Sequence, residues 1–595
     1  MYAILRSNHP HRLALWSLPL VFLCLLVSMH VFALPKITEK ISTVLPEEYS
    51  ESFTILPSRE KQPSRQRYTL QIEYAPQQQT VFKIHPRGCV QSVELNDQKI
   101  RYNKRTRCNS LLGMQVDLTD ALQPGTNTLD IETNESVIHI GPVIFNPDKW
   151  QLTDTLGCAM IAVACAWLIL FLARFTGEYG SGALMAAALI AYVNRFSIMA
   201  PGEYAMDLAG HLDYITFIAM NDALPRPYSC FSCYHAPLYY VLQGMLLQWV
   251  NWLGSFDGLS ALRAFSFTCF ITFCVYSILC IRKLIKHQLA YYVSLLLFLL
   301  YPFSIFSASR IDSHLLFYAL YAACAYHALC WIESSRQKHL VISIIFIGIA
   351  IATRSNALIL LPLLGIAALY MLWQKKTSLP ALLLSRAVWA AIVVLLLGTT
   401  INLGRTYYYR AIENRADNML IGTSLPRQYF GIANTPETLF TLHLRGYLEL
   451  PYYLPFSRPP ERDYFLNAVM KTSLFGEFRW PRPFHAKNLS YLLLGVVFFW
   501  LAGTLLAFSQ LKRSREWWIA FCAFFIPMGS VIALRLYLPL FCHHDFRFIY
   551  PALAGFCALY GLLIENQLKN RRHVWAGIGM VLAVLFCLQS VLFYL

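Results

Sequence analysis

Charge is what this 595-residue chain has least of: Lys, Arg, Asp and Glu make up only 14% of it, against about 25% in a soluble domain. That shortage excludes a water-exposed surface over most of the chain, so its solvent is largely lipid. Repeats at solenoid period are absent, as are low-complexity tracts, which removes repeat scaffolds and long linkers from consideration. A four-ligand zinc set is also missing: His543 and His544 are adjacent, and neighbouring side chains on a helix diverge. The 16 Cys are scattered mainly through apolar stretches, where free Cys behaves as a small hydrophobe.

Apolar residues, at 56%, fill the space that charge leaves. Runs long enough to cross a bilayer, about 20 residues, extend from Leu13 to Leu34, from Leu152 to Ala173, and recur between Leu289 and Leu595. The formal charge of +16 needs no nucleic-acid partner, because membrane proteins keep Lys and Arg in their cytoplasmic loops. Placing the basic turns Arg282–Lys286, Arg336–Lys338, Lys375–Lys376, Lys512–Arg515 and Lys569–Arg572 on one side gives a consistent topology of about thirteen spans. Residues 1–34 read as an uncleaved anchor in preference to a signal peptide, since the apolar run is long for the latter. Pro237 to Leu253 is apolar, but counting it as a span inverts everything downstream; it reads as a horizontal or re-entrant helix at the outer surface.

Residues 35–150 differ in character. Tyr68 to Tyr74, Gln91 to Leu95 and Thr128 to Ile131 alternate apolar and polar residues, with turn signals at Asn96-Asp97 and Pro124-Gly125. This pattern predicts a small extracytoplasmic β-sandwich resembling the jelly-roll domains attached to many glycosidases. Cys89 and Cys108 flank a strand pair and suit a disulfide outside the cytoplasm; Cys230 and Cys233 suit a second one or two unpaired thiols, ahead of a metal or redox role with nearby His235.

The loop after the third expected span, residues 201–258, carries Glu203, Asp207, His211 and Asp213, then His235-Ala236-Pro237-Leu238-Tyr239-Tyr240. An acid just beyond an early span, a His or Tyr one turn later, and His-x-Pro-Leu-Tyr-Tyr resemble the pattern of GT-C membrane glycosyltransferases. Those include protein O-mannosyltransferases and lipid A aminoarabinose transferases. Ser309-Arg310-Ile311-Asp312 and Thr353-Arg354-Ser355-Asn356 match as well, within a membrane core running from about Gly182 to Leu595. Ala236 departs from the Pro found in many members, and the N-terminal sandwich with its first two spans lies outside the usual core.

The resemblance implies transfer of a sugar from a polyprenyl-phosphate donor to a hydroxyl on a glycan, lipid or protein acceptor, with inversion. It places the chain in a bacterial inner membrane with the site facing the periplasm. A phosphate-linked sugar already has a good leaving group, so one general base suffices where a glycosidase needs two carboxylates. Asp207 is the candidate base by match to the family, followed by Asp213 and Glu203; the alternative for Asp207 is a local pair with His211, one helical turn on. His211, Asp213, His235, Arg310, Asp312, Arg354 and Arg547 are the candidate substrate-binding residues. Arg suits phosphate through its planar fork of donors, although Arg at a helix end also snorkels to headgroups. Asp312 reads as an acceptor-orienting or cation-holding acid, or simply as a helix cap. No cofactor is required, and a divalent cation at Asp312 is the one metal role left open.

The remaining organisation is a membrane core over 151–404, an external aromatic and Pro-rich loop over 405–487 without elements of its own, and C-terminal membrane helices over 488–595. Rival readings are a flippase for lipid-linked saccharides, which predicts broken or charged helices near the midplane, and a non-catalytic glycan-binding subunit.

Overall fold

The structure, a computed structural model, describes residues 36–37, most of 66–142, 179–198 and most of 208–594. The expected spans Leu13–Leu34 and Leu152–Ala173, with Glu203 and Asp207, lie outside the described residues. The chain divides into two compact units after Glu203.

In the first unit, eight strands among the described residues form two antiparallel sheets: β1 (Lys36–Ile37), β2 (Gln66–Tyr74), β3 (Val81–Pro86), β4 (Val90–Leu95), β5 (Gln98–Lys99), β6 (Met114–Asp117), β7 (Gly125–Thr133) and β8 (Val137–Pro142). Their orders are β1-β2-β7-β4-β5 and β6-β3-β8. The alternation in the sequence sets the register. Tyr68 pairs with Ile131 and Leu70 with Leu129, and these side chains meet Phe82, Ile84, Met114 and Val116 of the other sheet in one buried core. Asn96 and Asp97 both adopt positive φ, which suits the tight turn joining β4 to β5. Asn127 is fully buried and closes the turn before β7 through bonds with Gln123 and Gly125. Cys89 is disulfide-bonded, while Cys108 lies outside the described residues. Helix α1 (Tyr179–Ile198) belongs to the same unit.

The second unit is helical. It begins with α2 (Leu208–Asn221), α3 (Leu238–Leu253), α4 (Gly258–Leu284), α5 (Gln288–Leu299), α6 (Pro302–Ser307), α7 (Ser313–Ser334) and α8 (Gln337–Thr353). A 3-10 turn (Ser355–Ile359) leads into α9 (Leu360–Trp373), followed by α10 (Leu379–Leu383) and α11 (Arg386–Thr399). Then come α12 (Pro436–Phe440), α13 (Leu444–Glu449), α14 (Phe465–Phe475), α15 (Pro483–Leu511), α16 (Arg515–Tyr537), α17 (Ala552–Lys569) and α18 (His573–Tyr594).

Among the described residues, seven helical segments are long and apolar enough to cross a membrane: Ala261–Leu284, Ser313–Ser334, Ser355–Trp373, Arg386–Gly404, Phe484–Leu511, Arg515–Tyr537 and His573–Tyr594. Gln288–Leu299 and Gln337–Thr353 are apolar but shorter. Leu396, Leu397, Leu505, Leu506, Leu585 and Leu588 stand exposed along these helices, and an apolar face left uncovered by protein is stable against lipid. The chain is an integral membrane protein, with fewer qualifying helices described than the thirteen spans expected.

Interhelical bonds bring the basic turns to one end of this bundle. Lys283 pairs with Glu333, Lys376 Nζ donates to the Ile332 carbonyl, and Asn570 donates to Gln510. Glu565 accepts from the backbone N–H groups of Lys286 and His287 at 2.9 and 3.2 Å, capping α5 from another helix. The turns carrying Arg310, Arg354, Arg405 and Arg547 therefore fall at the opposite end.

Two details differ from expectation. The run Leu289 to Ser304 is broken where Pro302 starts α6, so it is two helices and not one. The segment 405–487 is not featureless: α12, α13 and α14 occupy it, with Phe465, Ala468, Leu474 and Phe475 fully buried. Helix α3 packs beside the start of α4, with Tyr239 against Ser266 and Leu247 against Gly258. It thus follows only the first third of a helix roughly 40 Å long.

Candidate active site

The site is built where three chain reversals meet. The first is Arg310 to His314, between α6 and α7. Asp312, in extended conformation, is the N-cap of α7, and its Oδ1 accepts from the His314 backbone N–H at 2.9 Å. The same oxygen lies 2.8 Å from His314 Nδ1. Asp312, His314 and Arg310 are 7%, 2% and 3% exposed.

Burial by itself would raise the Asp312 carboxyl. His314, His211 and Arg354 outweigh it and hold the group well below the usual carboxylate range, so Asp312 is ionised. Burial lowers the Arg310 guanidinium from its ordinary value, with Asp312 opposing and Arg547 reinforcing the shift. The guanidinium also lies over the Phe306 ring, 4.9 Å from its centre.

The second reversal follows α8. Arg354 leaves the helix in extended conformation, and its Nη1 donates to Ser313 Oγ at 2.7 Å. The third is the pair of 3-10 turns Phe541–His544 and Phe546–Phe548. There Asp545 accepts from the Arg547 backbone N–H at 2.8 Å, while the Arg547 carbonyl accepts from Tyr318 Oη. Phe303, Ser307, Arg310, Asp312, His314, Leu315, Tyr318 and Arg547 line one small open cleft.

A wall of α2 and α3 closes the other side of Asp312. His211, buried on α2, is 2.8 Å from Tyr240 Oη, and Tyr240 stacks on Tyr214 with centroids 4.0 Å apart. His235 stacks with Tyr240 and His211. Burial, then Arg354, His211 and His314, lower its pKa well below the ordinary value, which leaves the imidazole neutral near pH 7. The Cys230–Cys233 disulfide folds the loop ahead of His235. Arg405 clamps that loop through the carbonyls of Pro225, Cys233 and His235.

The structure thus gathers His211, His235, Arg310, Asp312, Arg354 and Arg547 at one end of the bundle. Asp213 is apart from them: it is exposed, two residues and so about 200° around α2 from buried His211. Asp312 sits among Arg310, Arg354 and His314, and its Oδ1 is engaged twice, so the residues present do not fit a divalent cation there. Among the described residues no three His, Cys, Asp or Glu side chains converge as a metal site. His544 is held by Tyr453 at Nε2 and by Arg535 at Nδ1.

Three contributors went unread in the sequence. His314 was visible as Asp-x-His at the head of an apolar run. Arg535 was visible as a charge inside one, a reliable signal of a function or a strut. Arg405, at the end of an apolar run, offered only the interfacial signal that any such Arg gives.

No protein-family profile matches the chain, and no curated protein matches it in sequence. Among solved structures, ArnT from Cupriavidus metallidurans bound to undecaprenyl phosphate is similar over 64% of this chain and 76% of that one, at 13% identity and a TM-score of 0.30. A likeness that loose carries no argument about chemistry, which rests here on the geometry of the site.

Proposed function

We propose that this protein is a GT-C membrane glycosyltransferase that moves a sugar from a polyprenyl-phosphate donor to an acceptor hydroxyl. One observation carries the reading: Arg310 and Arg547 line a cleft whose lining carboxylate is Asp312, with Arg354 bound to the neighbouring Ser313 and Asp545 beside Arg547, at the end of the bundle opposite the basic turns. Cations in excess of carboxylates favour an anionic headgroup, and Arg matches phosphate oxygens in pairs. The apolar helix faces suit an isoprenoid tail lying alongside. By the positive-inside rule the site end is extracytoplasmic, which in a bacterium is the periplasmic face.

Chemically, the acceptor oxygen attacks the anomeric carbon in line, and the bond from that carbon to the phosphate oxygen breaks. Polyprenyl phosphate leaves, its charge held by the arginines, and the configuration inverts. Asp207, the acid of the first loop, takes the acceptor proton in this reading, a contribution of about 100- to 10,000-fold. The β-sandwich, read as jelly-roll-like, serves acceptor recognition.

The test is transfer of radiolabelled sugar from a panel of polyprenyl-phosphate donors in membranes holding matched amounts of wild-type protein, Asp207→Asn or Arg547→Leu. Transfer by wild type, loss with Asp207→Asn and a raised donor KM with Arg547→Leu support the mechanism. No transfer from any donor overturns it, and full activity of Asp207→Asn removes that residue as base.

A further inference from the structure

His314 has no part in the mechanism above, yet it is the best prepared polar group in the cleft. It is 2% exposed, and its ring is clamped between Tyr318, with centroids 5.9 Å apart, and Phe548, which meets it edge-on at 5.4 Å. Nδ1 is 2.8 Å from Asp312 Oδ1. An ionised carboxylate only accepts, so Nδ1 carries the hydrogen, and Nε2 of the neutral ring presents its in-plane lone pair. Nε2 is buried without a hydrogen-bond partner, as is Ser307 Oγ on the same cleft wall. A buried acceptor in a native protein calls for a donor.

Guanidinium groups and an imidazole lone pair ask for different things. Arg310 and Arg547 suit oxyanions, whereas Nε2 would repel a phosphate oxygen and attract an O–H. A ligand satisfying both has a hydroxyl within a few ångströms of its phosphate.

We infer that His314 is a specificity residue that accepts a hydrogen bond from the sugar hydroxyl on the carbon next to the phosphate-bearing one. This rests on the reading of the site as one for a phosphate-linked sugar. The donor class narrows accordingly: a sugar joined to phosphate through its anomeric carbon with a free hydroxyl at the neighbouring position is taken, and a 2-deoxy sugar is refused. Losing that hydroxyl leaves Nε2 desolvated and unpaired, a penalty of about 10- to 100-fold in affinity.

The experiment measures binding to the purified full-length protein in detergent by calorimetry, independently of transfer. Probes are the 1-phosphates of glucose, galactose and arabinose, each against its 2-deoxy counterpart. Wild type is expected to prefer at least one hydroxylated probe by about 10-fold or more. His314→Phe is expected to bind both members of that pair alike, and His314→Gln, whose amide oxygen replaces the lone pair, to restore part of the preference. Thermal unfolding of each variant confirms that it is folded.

Equal binding of every pair by wild type, or binding of none, overturns the inference; an ordered water serving Nε2 and Ser307 predicts the former. Equal binding that tightens as pH falls overturns it too, since His314 would then be a cation on the phosphate. If wild type discriminates but transfers no sugar from any lipid donor, the glycosyltransferase reading fails and the recognition role stands.

Discussion

Arg535 is the position where a single substitution should say most about how the site is held together. It is fully buried near the end of α16. Its Nε donates to Asn434 Oδ1 at 3.1 Å, Nη1 to His544 Nδ1 at 3.1 Å, and Nη2 to the Ala433 carbonyl at 2.8 Å and to the Asp463 carbonyl. Because His544 Nδ1 accepts, its Nε2 carries the hydrogen and donates to Tyr453 Oη. One guanidinium thus ties α16 to the segments before α12 and α14 and to the 3-10 turn that leads to Arg547.

Arg535→Met keeps the volume and removes every donor. The bonds to Asn434 and Ala433 are only part-buried, so water replaces them; those to His544 and Asp463 are buried. Two orphaned acceptors at about 1.5 kcal/mol each give a loss of about 3 kcal/mol. Arg535→Lys, which lacks the planar fork, should lose about 2 kcal/mol. Denaturant unfolding in detergent micelles measures both. In the transfer assay the donor KM should rise more than kcat falls, because the turn bearing Arg547 loosens while the remaining groups stay. A loss under about 0.5 kcal/mol with unchanged KM would refute the strut, since ordinary surface substitutions do no more.

Two further outcomes follow from packing and charge. Asp312→Ala should cost about 3–5 kcal/mol, because Arg310 and Arg354 lose their buried counter-charge and α7 its cap, whereas Asp312→Asn keeps the cap and should cost clearly less; unfolding in detergent compares them. Since the folded pKa of Asp312 is depressed, its stabilisation is complete above the unfolded value near 3.9 and fades only as pH falls through the lower folded value. The stability gap between wild type and Asp312→Ala should therefore stay constant from pH 8 to pH 5, and a gap that shrinks in that window would contradict the assignment. At the α8–α11 crossing, a Cβ on Gly398 would stand 2.0 Å from the Gly348 carbonyl oxygen. Gly398→Ala should push the helices apart at about 1–3 kcal/mol, lowering the unfolding midpoint, while Gly577→Ala, which meets nothing within 4 Å, should be silent.

Much of this protein was legible from local pattern, because local pattern has a local cause. Apolar runs of bilayer length become helices since no other backbone arrangement satisfies its own polar groups in lipid. Basic turns gather at one end because crossing the membrane with Lys or Arg is costly. Period-two alternation over Tyr68–Tyr74 and Thr128–Ile131 becomes two paired strands because one face must be buried.

The tertiary structure alone decided the rest. That Arg310, Arg354 and Arg547 lie at the same end of the bundle depends on three helix reversals far apart in the chain meeting there. The weak aromatic segment before Lys487 became helical because α14 found a core to bury Phe465 and Phe475 against. The role open to His314 turns on which nitrogen faces Asp312 and what else reaches the cleft, and spacing of two residues determines neither. Hydropathy and charge act along the chain, whereas a hydrogen-bond network is settled only when distant segments meet.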